Sequence, residues 1–208
     1  MTRILITSFE PYDRWSENAS WLAMVEFTKA MERQTEITTR RYPVDFAAVR
    51  ELLERDLSED YDYALHLGQA PGSGLIHLEA IGLNVGGNSH EPMELHGPLV
   101  ENGPVAYRSA LPLSLFVREL RQRAIPASVS YHAGTYLCNA TLYLTHHLAQ
   151  VRGLKTQATF IHLPLETSQA VQESREVSSL PAATAADAVH TIVELLVKQS
   201  RLHAQKPV

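Results

Sequence analysis

The 208 residues include a single cysteine, Cys138, so no disulfide can close within the chain. That excludes a disulfide-built secreted scaffold and suits a reducing compartment. Basic residues are outnumbered, 18 Lys and Arg against 23 Asp and Glu, for a net charge of −5. A nucleic-acid binder usually carries a basic surplus, so that class is disfavoured. No apolar run approaches the roughly 20 residues that span a bilayer. Ile4-Leu5-Ile6 gives way at once to Thr7 and Ser8, too short for a signal-peptide core. Paired Cys spacings and the His-Glu-x-x-His pattern are absent, which removes the common zinc motifs. Gly68, Gly72 and Gly74, and the pair Gly86-Gly87, fit neither a phosphate-binding loop nor a dinucleotide fingerprint. What remains is an ordinary globular balance, 45% hydrophobic and 20% charged. It reads as one domain over residues 1–208, with no nucleic-acid and no membrane partner.

Strand and helix patterns alternate along the chain. Arg3 to Ser8 reads as a short buried strand and Phe9 to Ala19 as a polar loop. A helix is predicted near Trp21–Arg33, with Ser20 as its cap and Trp21, Met24, Val25, Thr28 and Met31 on its apolar face. Thr35 to Val44 is β-branched and reads as a strand. Asp45 then caps a second helix that carries Phe46, Val49, Leu52 and Leu53 on one side. Tyr63–Leu67 and Leu75–Asn84 read as strands flanking a turn-rich loop, and Val85 to Pro104 as a long loop. A helix near Leu113–Arg123, a strand near Ala127–Tyr131 and a helix from Cys138 follow. Ala158–Leu163 reads as a strand. The last helix, about Thr184–His203, buries Val189, Ile192, Val193 and Leu196. Such alternation implies an α/β domain with a largely parallel or mixed sheet between helical layers. Ligands of such sheets gather beyond the carboxyl ends of strands.

Cys138, His162 and the Phe9–Tyr12 loop fall at predicted strand C-terminal ends. Three residues are candidates for chemistry. Cys138 follows Ala133-Gly134-Thr135 at a strand-to-helix junction. A lone cysteine is commonly a small buried hydrophobe. At a helix N-terminus, however, the dipole and free amides favour a thiolate and suit an oxyanion. His162 ends the strand Thr159-Phe160-Ile161. It is either a satisfied rim histidine, one of ten in the chain, or the base that a thiol nucleophile needs. Glu79 interrupts an otherwise apolar strand. It is either a surface ion-pair partner on an edge strand or the carboxylate that orients a histidine. His146-His147 point about 100° apart on a helix and do not chelate together. They, with His90 and His96 near Glu91 and Glu94, read as surface histidines rather than a metal site.

Several segments, taken in order, resemble the pyroglutamyl peptidase type I, or pyrrolidone-carboxylate peptidase, family. They are Ile4-Leu5-Ile6-Thr7-Ser8-Phe9-Glu10-Pro11-Tyr12, Asn18-Ala19-Ser20-Trp21, His66-Leu67-Gly68-Gln69-Ala70, Leu78-Glu79-Ala80-Ile81-Gly82-Leu83-Asn84 and Gly97 to Tyr107. Ala133-Gly134-Thr135-Tyr136-Leu137-Cys138-Asn139 is the most specific, and Phe160-Ile161-His162-Leu163-Pro164 completes the set. The resemblance implies a three-layer α/β/α sandwich, no cofactor, a cytoplasmic location and a homotetramer. It implies a cysteine peptidase that removes an N-terminal pyroglutamyl residue, with Cys138 as nucleophile, His162 as base and Glu79 as orienter. It places Phe9, Tyr12 and Tyr136 around the lactam ring, Gln69 on the ring amide, Leu137 as a source of backbone polar groups, and Asn18 as a tie between pocket loops.

Two departures stand out. Asp13-Arg14 occupies the place of a usual Gly-Gly pair, and Ser89 falls where the family carries an arginine. They leave a catalytically weak relative that binds a peptide or small amide as an alternative. A nucleoside phosphorylase-like enzyme on the same architecture is another.

Overall fold

The computed structural model describes residues 1–30, 36–88 and 91–204. The first strand, β1 (Arg3–Phe9), is apolar on both faces, with Ile4 and Ile6 on one side and Leu5 on the other. Such a strand is stable only between two covering layers. It pairs in parallel with β2 (Glu36–Tyr42) and β3 (Tyr63–Gln69), and β3 pairs in parallel with β8 (Gln157–Leu163). The sheet then reverses. The strand β4 (Ile76–Glu79) runs antiparallel to β8, and β7 (Ala127–Ser130) runs parallel to β4. The order is β2-β1-β3-β8-β4-β7. A separate antiparallel pair joins β5 (Ile81–Leu83) to β6 (Ala106–Arg108).

Helices cover both faces. On one lie α1 (Ala19–Lys29), α3 (Leu113–Gln122) and α6 (Ala182–Ala204), which bring Phe27, Phe116 and Val189 onto Ile4, Leu65 and Leu67. On the other lie α2 (Phe46–Asp56) and α4 (Leu137–Arg152), which pack Leu53 and Leu142 on Leu5, Ala64 and Phe160. The expected three layers and mostly parallel sheet are therefore present. A short helix, α5 (Thr167–Val171), follows β8.

Several expectations need correction. The cap of α1 is Asn18, whose Oδ1 accepts from the Ser20 amide at 3.0 Å, and not Ser20. The buried face of α1 is Ala23, Met24 and Phe27; Trp21 and Val25 lie beside it and Thr28 is exposed. The Trp21 ring instead takes the Arg41 guanidinium at 4.6 Å, a contact that keeps a large aromatic half-exposed. Met31 lies outside the described residues. The strand expected over Leu75–Asn84 divides at Ala80, whose amide bonds Ser130 while its carbonyl takes Ser109. After that break β5 leaves the sheet and crosses α4 closely. A methyl group on Gly82 would stand 2.8 Å from the Tyr143 backbone nitrogen, so only glycine fits the crossing. The expected loop Val85 to Pro104 holds a 3₁₀ turn (Met93–Leu95) and a two-residue bridge between Gly86 and Gly97. His146 and His147 are half-buried rather than superficial, and His147 Nδ1 sits 3.0 Å from the Tyr107 hydroxyl.

Candidate active site

The turn into α4 is made by Gly134, whose φ of 78° lies in the left-handed region that glycine enters without strain. The chain then enters a 16-residue helix whose N-cap, Tyr136, makes no side-chain cap. The first amides of that helix are therefore left open. Cys138 occupies its second position.

His162 lies near the end of β8 and Glu79 at the end of β4. The antiparallel pairing of these strands sets Glu79 against Phe160 and His77 against His162, so the two side chains meet diagonally. Glu79 Oε1 lies 2.8 Å from His162 Nδ1. The alternative of an exposed edge pair fails, because β4 is interior and Glu79 is 2% exposed. Burial raises the Glu79 pKa, but the His162 hydrogen bond and charge outweigh it, and the carboxyl stays below its usual range. For His162, burial pulls the pKa down. The Cys138 thiolate and then Glu79 pull it up further, to about 10. The imidazole therefore bridges the thiol and the carboxylate and is charged at neutral pH. The three residues singled out from the sequence thus form one chain of contacts. Because β4 and β7 run opposite to β8, Glu79 approaches His162 from the side of the β8 N-terminus.

Tyr12 and Tyr136 both feel the charge of Cys138, which adds to burial in raising their hydroxyl pKa values. The Tyr136 ring meets Phe46 edge-on at 5.3 Å. Phe9 stands one layer back, 4% exposed, between Tyr42 and Phe160. Leu137 is buried, and its carbonyl accepts from the Thr141 hydroxyl at 2.7 Å. Asn18 ties the first loop together: its Nδ2 donates to the Glu10 carbonyl at 3.0 Å. Gln69 has its two amide ends in different states. Its Oε1 accepts from the Ala19 amide and from Gln169 Nε2, each at 2.8 Å, and its Nε2 has no protein partner. Its main-chain carbonyl takes the Tyr12 hydroxyl at 3.5 Å.

The departures have local accounts. Asp13 adopts φ 53°, a left-handed conformation where glycine is easiest and Asp is tolerated. Arg14 stacks on Trp15 and bonds Glu173 at 2.9 Å, which ties the first loop to the segment after α5. Ser89 lies outside the described residues. Among the described residues, no group of three or more His, Cys, Asp or Glu is placed to hold a metal ion.

Sequence reasoning missed two supports. Asn139 bonds Leu83 through both its amide atoms, at 2.8 and 2.9 Å, and the Val85 carbonyl at 2.8 Å. His66 is fully buried, with Thr7 Oγ1 at 2.8 Å from Nδ1 and Thr145 Oγ1 at 2.9 Å from Nε2. Burial holds its pKa down at about 3. The alternation of Ala64, His66 and Gly68 on one face was the only available signal for it.

The chain is similar to known proteins over most of its length. The family model described as "Pyroglutamyl peptidase" matches residues 2–199. A pyrrolidone-carboxylate peptidase of Thermococcus onnurineus is 35% identical over 203 residues, covering 95% of this chain and 98% of that one. That of Clavibacter michiganensis is 36% identical and covers 84% of each chain. The crystal structure of pyrrolidone carboxyl peptidase from Fervidobacterium islandicum superposes with a TM-score of 0.88 at 30% identity, over 95% of this chain and 99% of that one. With sequence, fold and length all in agreement, this chain belongs to the pyroglutamyl peptidase family.

Proposed function

We propose that this chain is a cysteine-type exopeptidase that removes the N-terminal pyroglutamyl residue from peptides, with Cys138 as nucleophile, His162 as acid and base, and Glu79 as orienter. The observation that carries the assignment of roles is the Glu79–His162 bond of 2.8 Å continued to the Cys138 thiol. The thiolate adds to the pyroglutamyl carbonyl carbon. The carbonyl oxygen becomes an oxyanion, which the open amides at the start of α4 are placed to receive. His162 gives its proton to the departing amine as the C–N bond breaks, leaving a thioester. It then takes a proton from water, the hydroxide adds to the thioester, and the thiolate leaves again. Glu79 holds the ring and its charge throughout. The sequence needs no cofactor.

A pyroglutamyl residue lacks a free ammonium group. An aromatic slot with a few aimed amide partners suits it. Tyr12 and Tyr136 flank the thiol, Phe9 backs the slot, and Leu137 supplies backbone at its base. The Gln69 main-chain carbonyl accepts the lactam N–H in place of the long Tyr12 bond, and Asn18 holds the loop that carries Tyr12. The same reading takes the chain as a single domain over residues 1–208, working as a cytoplasmic homo-oligomer, a tetramer by family resemblance. Among the described residues no helix is long and apolar enough to cross a membrane. A weak relative with a binding role remains the competing reading, and turnover separates the two. Cys138→Ala should abolish hydrolysis of a pyroglutamyl anilide while circular dichroism stays unchanged. Substantial hydrolysis by the folded variant overturns the assignment.

A further inference from the structure

The His162 ring is bonded to the carboxylate beneath it through Nδ1 and to the Cys138 thiol on its other side. Two bonds at opposite nitrogens leave the ring able to turn about the line between them. The plane of the ring needs a further constraint.

Strand register shows where that constraint comes from. In the β3–β8 pair, Gly68 lies beside His162 and His66 beside Phe160. Alternate residues of a strand share a face, so all four look toward α4. Phe160 is fully buried, and its ring centre is 4.8 Å from that of His162 at a tilt of 54°. Behind it stand His66 at 6.5 Å and Phe9 at 6.1 Å. His66 is pinned by two threonine hydroxyls and cannot retreat. The remaining side is Gly68. A methyl group there would stand 2.5 Å from Phe160 Cζ and 3.2 Å from Cys138 Sγ. Carbon atoms pack best at about 3.5–4.0 Å, so the ring edge and the thiol share the room that the missing side chain leaves.

We propose that Phe160, seated on the bare backbone of Gly68, is a positioning residue that holds the His162 ring in the plane that aims it at Cys138. The proposal rests on the cysteine-peptidase reading and deepens it. Phe160 acts through His162 and touches no reacting atom. His66 is pinned by two threonine hydroxyls and Phe9 is packed behind the ring, whereas His162 can turn about the line between its two bonded nitrogens, so it is the one that yields when volume is added at position 68. The Gly68 backbone lies outside the left-handed region, so alanine fits the main chain and tests the space alone.

Three variants test this: Gly68→Ala, Phe160→Leu and the double variant. Each is checked for folding by circular dichroism and assayed on a pyroglutamyl anilide. Alkylation of Cys138 by iodoacetamide, followed against pH without substrate, reads the thiol–imidazole pair directly. Gly68→Ala should lower kcat by about tenfold to a hundredfold, the scale of a misplacement of about 1 Å, while KM stays within about threefold. Phe160→Leu should lower kcat by about tenfold, and both should move the alkylation midpoint up by about one pH unit. The double variant should recover kcat relative to Gly68→Ala, because the shorter side chain makes room for the methyl group. A loss wholly in KM with an unmoved alkylation profile shows a pocket floor and overturns the proposal. So does a double variant no better than Gly68→Ala, or wild-type kcat in Phe160→Leu. If Gly68→Ala does not fold, Phe160→Leu decides alone. Failure of the underlying reading shows separately, as hydrolysis by Cys138→Ala.

Discussion

Acidification from about pH 7.5 to about pH 5 should weaken the fold by about 2 kcal/mol through His66 alone. The native pKa of this residue is depressed to about 3, because burial penalises its charged form. In the unfolded chain it returns to about 6.5. Below that value the unfolded state binds a proton that the native state refuses. The contribution is therefore fully present above about pH 6.5 and lost as pH falls. At about pH 5 the gap is about 1.5 pH units, and each unit is worth about 1.4 kcal/mol. His162 works in the opposite sense. Its native pKa is raised, so its contribution is fully present below about pH 6.5 and is lost as pH rises toward about 10. The two histidines are separated by comparing wild type with His66→Gln, whose amide can still meet Thr7 and Thr145. Urea unfolding at several pH values gives the two stability curves. The wild-type curve should fall by about 2 kcal/mol more than the variant's between pH 7.5 and 5, His162 being common to both. Parallel curves would refute the reasoning, because His66 would then bind protons equally in both states.

Further outcomes follow from the same structure. His162→Ala should cost more kcat/KM than Glu79→Gln, since the histidine moves the proton and the glutamate only orients it; the reverse ranking removes the assigned roles. Asn139→Ala strands three partly buried main-chain groups of the β5 segment and should cost about 2–4 kcal/mol in urea unfolding. Pyroglutamyl anilides should exceed glutaminyl anilides by about 10³-fold in kcat/KM, because an ammonium must otherwise be desolvated among aromatic rings. Comparable cleavage of the two would dismiss the pocket.

The parts of the site that were legible in the sequence are those where a residue breaks a local rule. Glu79 stands in an apolar strand, and Cys138 follows a glycine at a strand-to-helix junction; each is costly or idle without a partner, and each has one. His162 was ranked by its strand-end place. Illegible were the relations between strands. Periodicity gives the face of a side chain but not the direction of its strand, so the reversal at β4 that carries Glu79 beneath His162 left no trace. The division at Ala80 did leave a trace: Ile81 and Leu83 resume the apolar alternation one residue out of phase with Ile76 and Leu78, and they pair with another strand. The α1 stripe was rotated because Trp21 looks like core by type, whereas an arginine from β2 covers it. The Gln69 side chain has two ends that the sequence does not tell apart: its Oε1 is taken by Ala19 and Gln169, while its buried Nε2 is left open.

Asn18 closes the first loop and starts a core helix with one side chain. Its Oδ1 receives the Ser20 amide and hydroxyl, its Nδ2 reaches the Glu10 carbonyl, and the Ser20 hydroxyl in turn receives the Phe9 amide. Opening the wall that carries Tyr12 therefore means uncapping α1, whose Phe27 lies fully buried in the core. In terms of local unfolding, wall and helix start are one cooperative unit. The amides of Phe9, Glu10, Ala19 and Ser20, each of which donates a hydrogen bond, should then exchange with solvent at a common, slow rate. The Tyr12 segment takes its rigidity from the interior of the protein, although by sequence it is a surface loop.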